Sequence, residues 1–241
     1  MKKYGIVIIP LLLLLPYSPL QSQTQWTGWL ASFNTIKTGK HTSLHSDIQM
    51  RSNDKMKNVQ TLLFRAGFNY HVNKKAILTA GYAYTHNRRV FSTVTTYAPE
   101  HRLWQQFLYT HKIKNISTSH RFRTEERFIG KTKVVNQRAN TDGYLYTSRF
   151  RYFLRNVIPL KKGALQKGAF AALQNEIFLN VTHLKNVNGE TFDQNRFYVA
   201  AGYRLHPSLD LEIGYMNQYI NGLGTQFTNN HVIQLASYLR L

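Results

Sequence analysis

The chain contains no cysteine, so no disulfide can staple it and its stability must come from backbone pairing and burial alone. Beyond residue 22 no uninterrupted apolar run approaches the roughly 20 residues that a transmembrane helix requires, which excludes a helical membrane protein. Acidic residues are scarce, 11 against 31 Lys and Arg, and the formal net charge is +20. Gly-rich nucleotide-binding loops are missing. His41 and His45 lie too far apart along a strand for one tetrahedral ion, so neither a cofactor nor a metal is expected.

What is present begins with a leader. Residues 1–22 carry Lys2 and Lys3, an apolar run from Ile6 to Leu15, then Pro16 and Pro19 beside the small Ser18 and Ser22. This is the layout of a secretory signal peptide, and the run is too short to span a bilayer stably. Residues 23–241 follow without a composition break, as one domain. Export argues against nucleic acid as the partner of so basic a chain. Anionic lipid, lipopolysaccharide phosphate or an acidic solute are the partners that fit.

After residue 24 the polarity alternates with a period of two, the period of a strand whose side chains face opposite ways. In "RFYVAAGYRL" (196–205), Phe197, Val199, Ala201, Tyr203 and Leu205 oppose Arg196, Tyr198, Ala200, Gly202 and Arg204. In "TLLFRAGFNYHV" (61–72), Phe64, Phe68 and Tyr70 oppose Arg65, Asn69 and His71. In "HRFRTEERF" (120–128), Arg121, Arg123, Glu125 and Arg127 share one face while Phe122 and Phe128 take the other. About eleven such segments follow one another, with 26–34, 42–51 and 102–112 the least clear. Short connections near 73–75, 114–116 and 206–208, with a longer one at 160–168, alternate with polar ones of roughly ten residues near 88–100, 131–143, 183–194 and 221–230.

This pattern predicts an all-β fold: an antiparallel up-and-down transmembrane β-barrel of 10 to 12 strands, with short periplasmic turns and longer extracellular loops. A soluble sandwich would also alternate, but it would wet its polar face with Lys, Thr and Glu. Here the polar faces hold Arg, Gly, Asn and Gln. Tyr, with 15 copies, gathers near the strand ends, where an interfacial girdle would lie. Arginines turned to the lipid midplane would cost about 2–4 kcal/mol each, so the charged face of 120–128 is expected to look inward. Glu126 falls on the outer face, and requires either a bulge near Glu125 or a place at headgroup level.

"HRFRTEERF", "SRFRYFLR", "NEIFLN" and "NRFYVAAGYRL" followed by "LEIGYMNQY" resemble, in matching order over about 24–241, the Gram-negative outer-membrane barrel family catalogued as domain of unknown function 2490. The resemblance implies an outer-membrane location and a barrel fold, and it implies no activity. Leu241 stands where many such barrels end in an aromatic residue, which slightly weakens the signal read by the barrel-assembly machinery, an expected partner during biogenesis. Single-chain bacterial barrels have even strand counts. Eleven segments therefore suggest ten strands with 26–34 as a plug or partial strand, or twelve with one hidden in a loop; counting back from a periplasmic C-terminus suits ten.

The alternation aims a charge cluster at the interior: Arg121, Arg123, Glu125, Arg127, Arg149, Arg151, Glu176, Arg196, Arg204 and Glu212, with Arg51, Arg65, Arg155, Arg240, Asp47 and Asp210 around it. Arginine in such excess favours passage or binding of a small anionic solute. The bland alternative is an ion-pair lattice that fills the interior and fixes register, giving a closed structural or interaction barrel of the envelope, in contact with lipid and lipopolysaccharide. A lipid-modifying enzyme is a third reading, with His45, His71, His111 and His120 as candidates and no residue assigned as catalytic. Ser43, His45 and Asp47 share a face, but same-face neighbours lie about 7 Å apart at the backbone, so this triplet cannot close by itself. A monomer is expected.

Overall fold

A computed structural model describes residues 22–91, 94–161, 163 and 165–241. The leader expected over 1–22 lies outside them, apart from Ser22. Eleven strands follow one another: β1 (Ser22–Lys37), β2 (Thr42–Ser52), β3 (Val59–His71), β4 (Ala76–Phe91), β5 (Val94–Ile113), β6 (Ile116–Val135), β7 (Arg138–Pro159), β8 (Gly168–Thr182), β9 (Phe192–His206), β10 (Leu209–Asn221) and β11 (Phe227–Arg240). Each pairs antiparallel with the next. The sheet closes on itself where β1 meets β11.

That last pair is parallel, from Ser22↔Phe227 to Thr35↔Arg240. Eleven falls inside the range of ten to twelve, but the even parity does not hold, and 26–34 is part of a full strand rather than a plug. The reason is directional: in an up-and-down chain every odd-numbered strand runs the same way, so an odd count can close only through one parallel seam. Closure removes both sheet edges, which would otherwise expose unpaired N–H and C=O groups.

The longer connections also differ from expectation. Most of 88–100 and 131–143 is strand. β6 and β7 run on to a tight turn at Asn136 and Gln137, both with positive φ (47° and 59°), the geometry whose twist matches paired strands. Irregular connections remain at 53–58, 183–191 and 222–226. The C-terminal rim carries 38–41, 72–75, 114–115, the described residues of the β7–β8 connection (160, 161, 163 and 165–167) and 207–208.

Side chains alternate across the wall. The outer face is apolar around the whole circumference, with Leu30, Ile48, Phe64, Phe68, Leu103, Val199, Ile213 and Leu235 all exposed. Glu126 lies on this face without a bulge beside it, since the β5–β6 register runs unbroken through Leu103↔Glu126; the hydroxyl of Tyr146 donates to its carboxylate. The inner face buries polar and charged residues together with a few large aromatics. Trp104 fits inside because Gly67 and Gly81 lie opposite each other on β3 and β4 and leave a slot for its ring. A Cβ at Gly67 would meet the indole at 2.7 Å.

Candidate functional site

β6 and β7 are the longest-paired neighbours, and their alternation lays Arg123, Glu125, Arg149 and Arg151 side by side on the inner wall. Glu125, 1% exposed, accepts from Arg149 at 2.6 and 3.2 Å and from Arg151 at 2.5 Å. Arg149 reaches on to Asp193 at 2.8 Å. Arg151 forks onto Glu176 at 2.7 and 3.0 Å, which also accepts from Arg121 at 2.6 Å. Arg123 stands 3.8 Å from Glu125 and Arg196 3.9 Å from Glu176. These residues form one continuous web across β6, β7, β8 and β9. Fork-shaped guanidinium–carboxylate pairing makes such a web geometrically strict.

The remaining residues of the cluster sit in separate sets. Arg127 bonds Glu100 at 2.6 Å, and Arg102 bonds the same carboxylate at 2.8 and 3.0 Å. Glu212 takes Arg155 at 2.5 Å and the hydroxyls of Tyr198 and Tyr238 at 2.9 and 3.2 Å. Arg204 pairs with Asp210 at 2.6 and 2.8 Å near the C-terminal rim, where Arg240 joins at 2.9 Å. Asp47 holds Arg65 at 2.7 Å.

Sequence reasoning missed Glu100, Arg102 and Asp193. Glu100 and Asp193 stand where β5 and β9 extend into stretches that read as loops, and Arg102 opens the segment 102–112, whose two faces differ little in polarity. Glu100 and Arg102 share the parity of Trp104, which carries the inner face outward along a longer β5, whereas Asp193 has the opposite parity to Gln194 and turns inward where the β8–β9 register shifts between Phe178↔Gln194 and Leu179↔Phe192. It also missed the aromatic platforms. The Arg51 and Arg196 guanidinium carbons lie 4.0 and 5.1 Å from the Trp29 ring centre. Arg123 and Arg65 lie 4.5 and 5.8 Å from Trp104. Arg149, Arg151 and Arg196 surround Phe178 at 5.0, 4.4 and 4.6 Å. Such stacking orients a cation without cancelling its charge.

Apart from the C-terminal rim set of Arg204, Arg240 and Asp210 and from Arg88 and Arg89 toward the opposite rim, ten interior guanidiniums (Arg51, Arg65, Arg102, Arg121, Arg123, Arg127, Arg149, Arg151, Arg155 and Arg196) face six carboxylates (Asp47, Glu100, Glu125, Glu176, Asp193 and Glu212) among the described residues. Two internal chambers lie between them. One, of about 330 Å³, is nearer the C-terminal rim; the other, of about 260 Å³, is nearer the opposite rim. Arg51, Arg65, Arg151 and Arg196 line both, and so form a partition between them.

Ser43, His45 and Asp47 do not act together. Ser43 Oγ lies 2.8 Å from His71 Nε2 on the neighbouring strand, while His45 Nε2 lies 3.4 Å from Asp47. His120 Nδ1 bonds the Tyr152 hydroxyl at 2.9 Å, and His111 stacks on His120 at 5.3 Å.

These features define a closed β-barrel whose interior is dense with buried arginine. Over residues 26–229 the chain matches the family described as Protein of unknown function (DUF2490), and it belongs to that family. No curated protein and no solved structure matches it.

Proposed function

We propose that this protein is an exported, integral outer-membrane β-barrel whose arginine-rich interior takes up a small anionic solute. Support for the membrane reading comes from the outer wall. An apolar belt that encircles a barrel far exceeds the few hundred Å² of contiguous apolar surface usual on a soluble monomer. Tyrosines border it on both sides: Tyr97 and Tyr109 occupy the same outer face of β5, roughly 40 Å apart along the strand and roughly 28 Å apart along the axis at a 45° tilt. Tyr82, Tyr144 and His101 form a bonded cluster on the outer wall, with His101 within 2.5 Å of the Tyr82 hydroxyl and 3.3 Å of the Tyr144 hydroxyl. Headgroups, lipopolysaccharide included, are the partners such a border fits.

The solute reading rests on one observation, the excess of interior guanidiniums over carboxylates. A field of that sign inside a low-dielectric wall concentrates anions. The arginine partition favours a second reading, a sealed barrel with a structural or interaction role. Planar-bilayer recording of the leader-free, refolded protein separates them. Passage gives discrete anion-preferring steps whose selectivity falls in Arg51→Gln/Arg196→Gln; a silent bilayer selects the sealed barrel. A leader-free chain that folds and stays dissolved without detergent would overturn the membrane reading altogether.

A further inference from the structure

Among the interior arginines, Arg51, Arg123 and Arg196 share a peculiarity. None has a carboxylate oxygen within hydrogen-bonding distance among the described residues. Arg51 bonds only the neutral amide oxygen of Gln49, at 2.6 and 3.2 Å, and Arg123 only that of Gln106, at 2.7 and 3.1 Å. Aromatic rings hold all three in place, Trp29 under Arg51 and Arg196, Trp104 under Arg123. All three line the 330 Å³ chamber.

The chamber also collects N–H groups that have no acceptor. Arg123 is 2% exposed, and its Nη1 is unpartnered; so are Nε of Arg65 and Nε of Arg121, two further residues of the same wall. Charged donors are rarely buried without a partner, and amide oxygens and ring faces bring no negative charge. What the chamber lacks is an acceptor with several oxygens and more than one negative charge.

We propose that this chamber is an equilibrium binding site for a phosphoryl oxyanion, held by Arg51, Arg123 and Arg196. The proposal rests on the reading of the interior as an anion receptor and adds the place and the ligand class. Guanidinium forks match the paired oxygens of a phosphoryl group, which a spherical halide cannot reproduce. The volume stands at the lower end of ligand pockets, and suits inorganic phosphate or a phosphate ester with a short organic substituent.

Titration calorimetry on the folded barrel in detergent tests this, with inorganic phosphate, glycerol phosphate, a short-chain phosphatidic acid and sodium chloride as the four titrants. Saturable binding of phosphate and glycerol phosphate is expected, with a response in tryptophan emission because Trp29 and Trp104 flank the site. Binding of phosphatidic acid alone would place the phosphoryl group on a lipid and overturn a site inside the barrel. Arg51→Gln and Arg123→Gln should each weaken phosphate about tenfold or more, while the exposed Lys133→Gln leaves it unchanged. Should either arginine variant fail to fold, the unfolding midpoint of the unaltered protein decides. Phosphate must raise it more than chloride does at equal ionic strength, and equal effects refute the site. Binding in a silent bilayer would keep the site and remove passage; anion conductance without saturable binding would do the reverse.

Discussion

Glu125→Gln removes one negative charge at almost constant volume from a carboxylate that faces three arginines. Three guanidiniums feel the loss. Arg149 keeps Asp193 at 2.8 Å and Arg151 keeps Glu176 at 2.7 Å, but Arg123 loses its only carboxylate within 4.0 Å. Breaking one side of a buried ion pair costs about 3–5 kcal/mol. Because two of the three cations retain a second carboxylate, we place the loss at the lower end, about 3 kcal/mol. The new amide keeps one acceptor oxygen but turns the other into a donor group that faces only guanidinium N–H groups, so one side of the site loses its bonds without replacement. Urea unfolding of the refolded barrel in micelles, followed by tryptophan emission, reads the loss directly. It should change little between low and high salt, because buried pairs are poorly screened. Glu190→Gln, on an exposed loop, should leave the transition where it was. A loss for Glu125→Gln below about 1 kcal/mol, the range of solvent-exposed pairs, would mean that water fills the interior and that the web has no structural weight.

The seam and the packing offer two further tests. Ser32 and Ser237 face each other across β1 and β11 with their hydroxyls 3.2 Å apart, so Ser32→Cys/Ser237→Cys should oxidise to a link visible as altered mobility on a non-reducing gel. With no native cysteine to interfere, absence of the link would refute the parallel closure. Gly67→Ala presses a methyl group against the Trp104 ring and should cost about 1–3 kcal/mol as overpacking. Trp104→Leu in the same chain should recover part of that loss, and no recovery would show that the strain lies in the backbone.

Much of the barrel is legible in the sequence alone. Alternation in 61–72, 120–128 and 196–205 put Arg65, Arg123, Glu125 and Arg196 on one face and Phe64, Phe122 and Phe197 on the other, and the described structure places them so. That works because the side-chain period of a strand is a local property of each residue and its neighbours. Strand ends were less legible. Glu100 and Asp193 lie in polar stretches, and a polar strand that projects as a hairpin has the composition of a loop. The choice between eleven strands and an even number could not be read locally either, since residues 26–34 look the same whether they pair with β11 or lie inside the barrel.

By itself, the sequence determined which residues share a face, that no disulfide or apolar helix contributes, and that positive charge outweighs negative. Only the tertiary structure decided which charges meet. Glu125 finds Arg149 through the register of β6 on β7, Glu176 finds Arg121 over the intervening Phe153 of β7, and Arg51 and Arg196 arrive on one tryptophan from β2 and β9. Those meetings depend on the circumference and stagger of a closed sheet. Such quantities belong to all the strands at once, and no single stretch of chain encodes them.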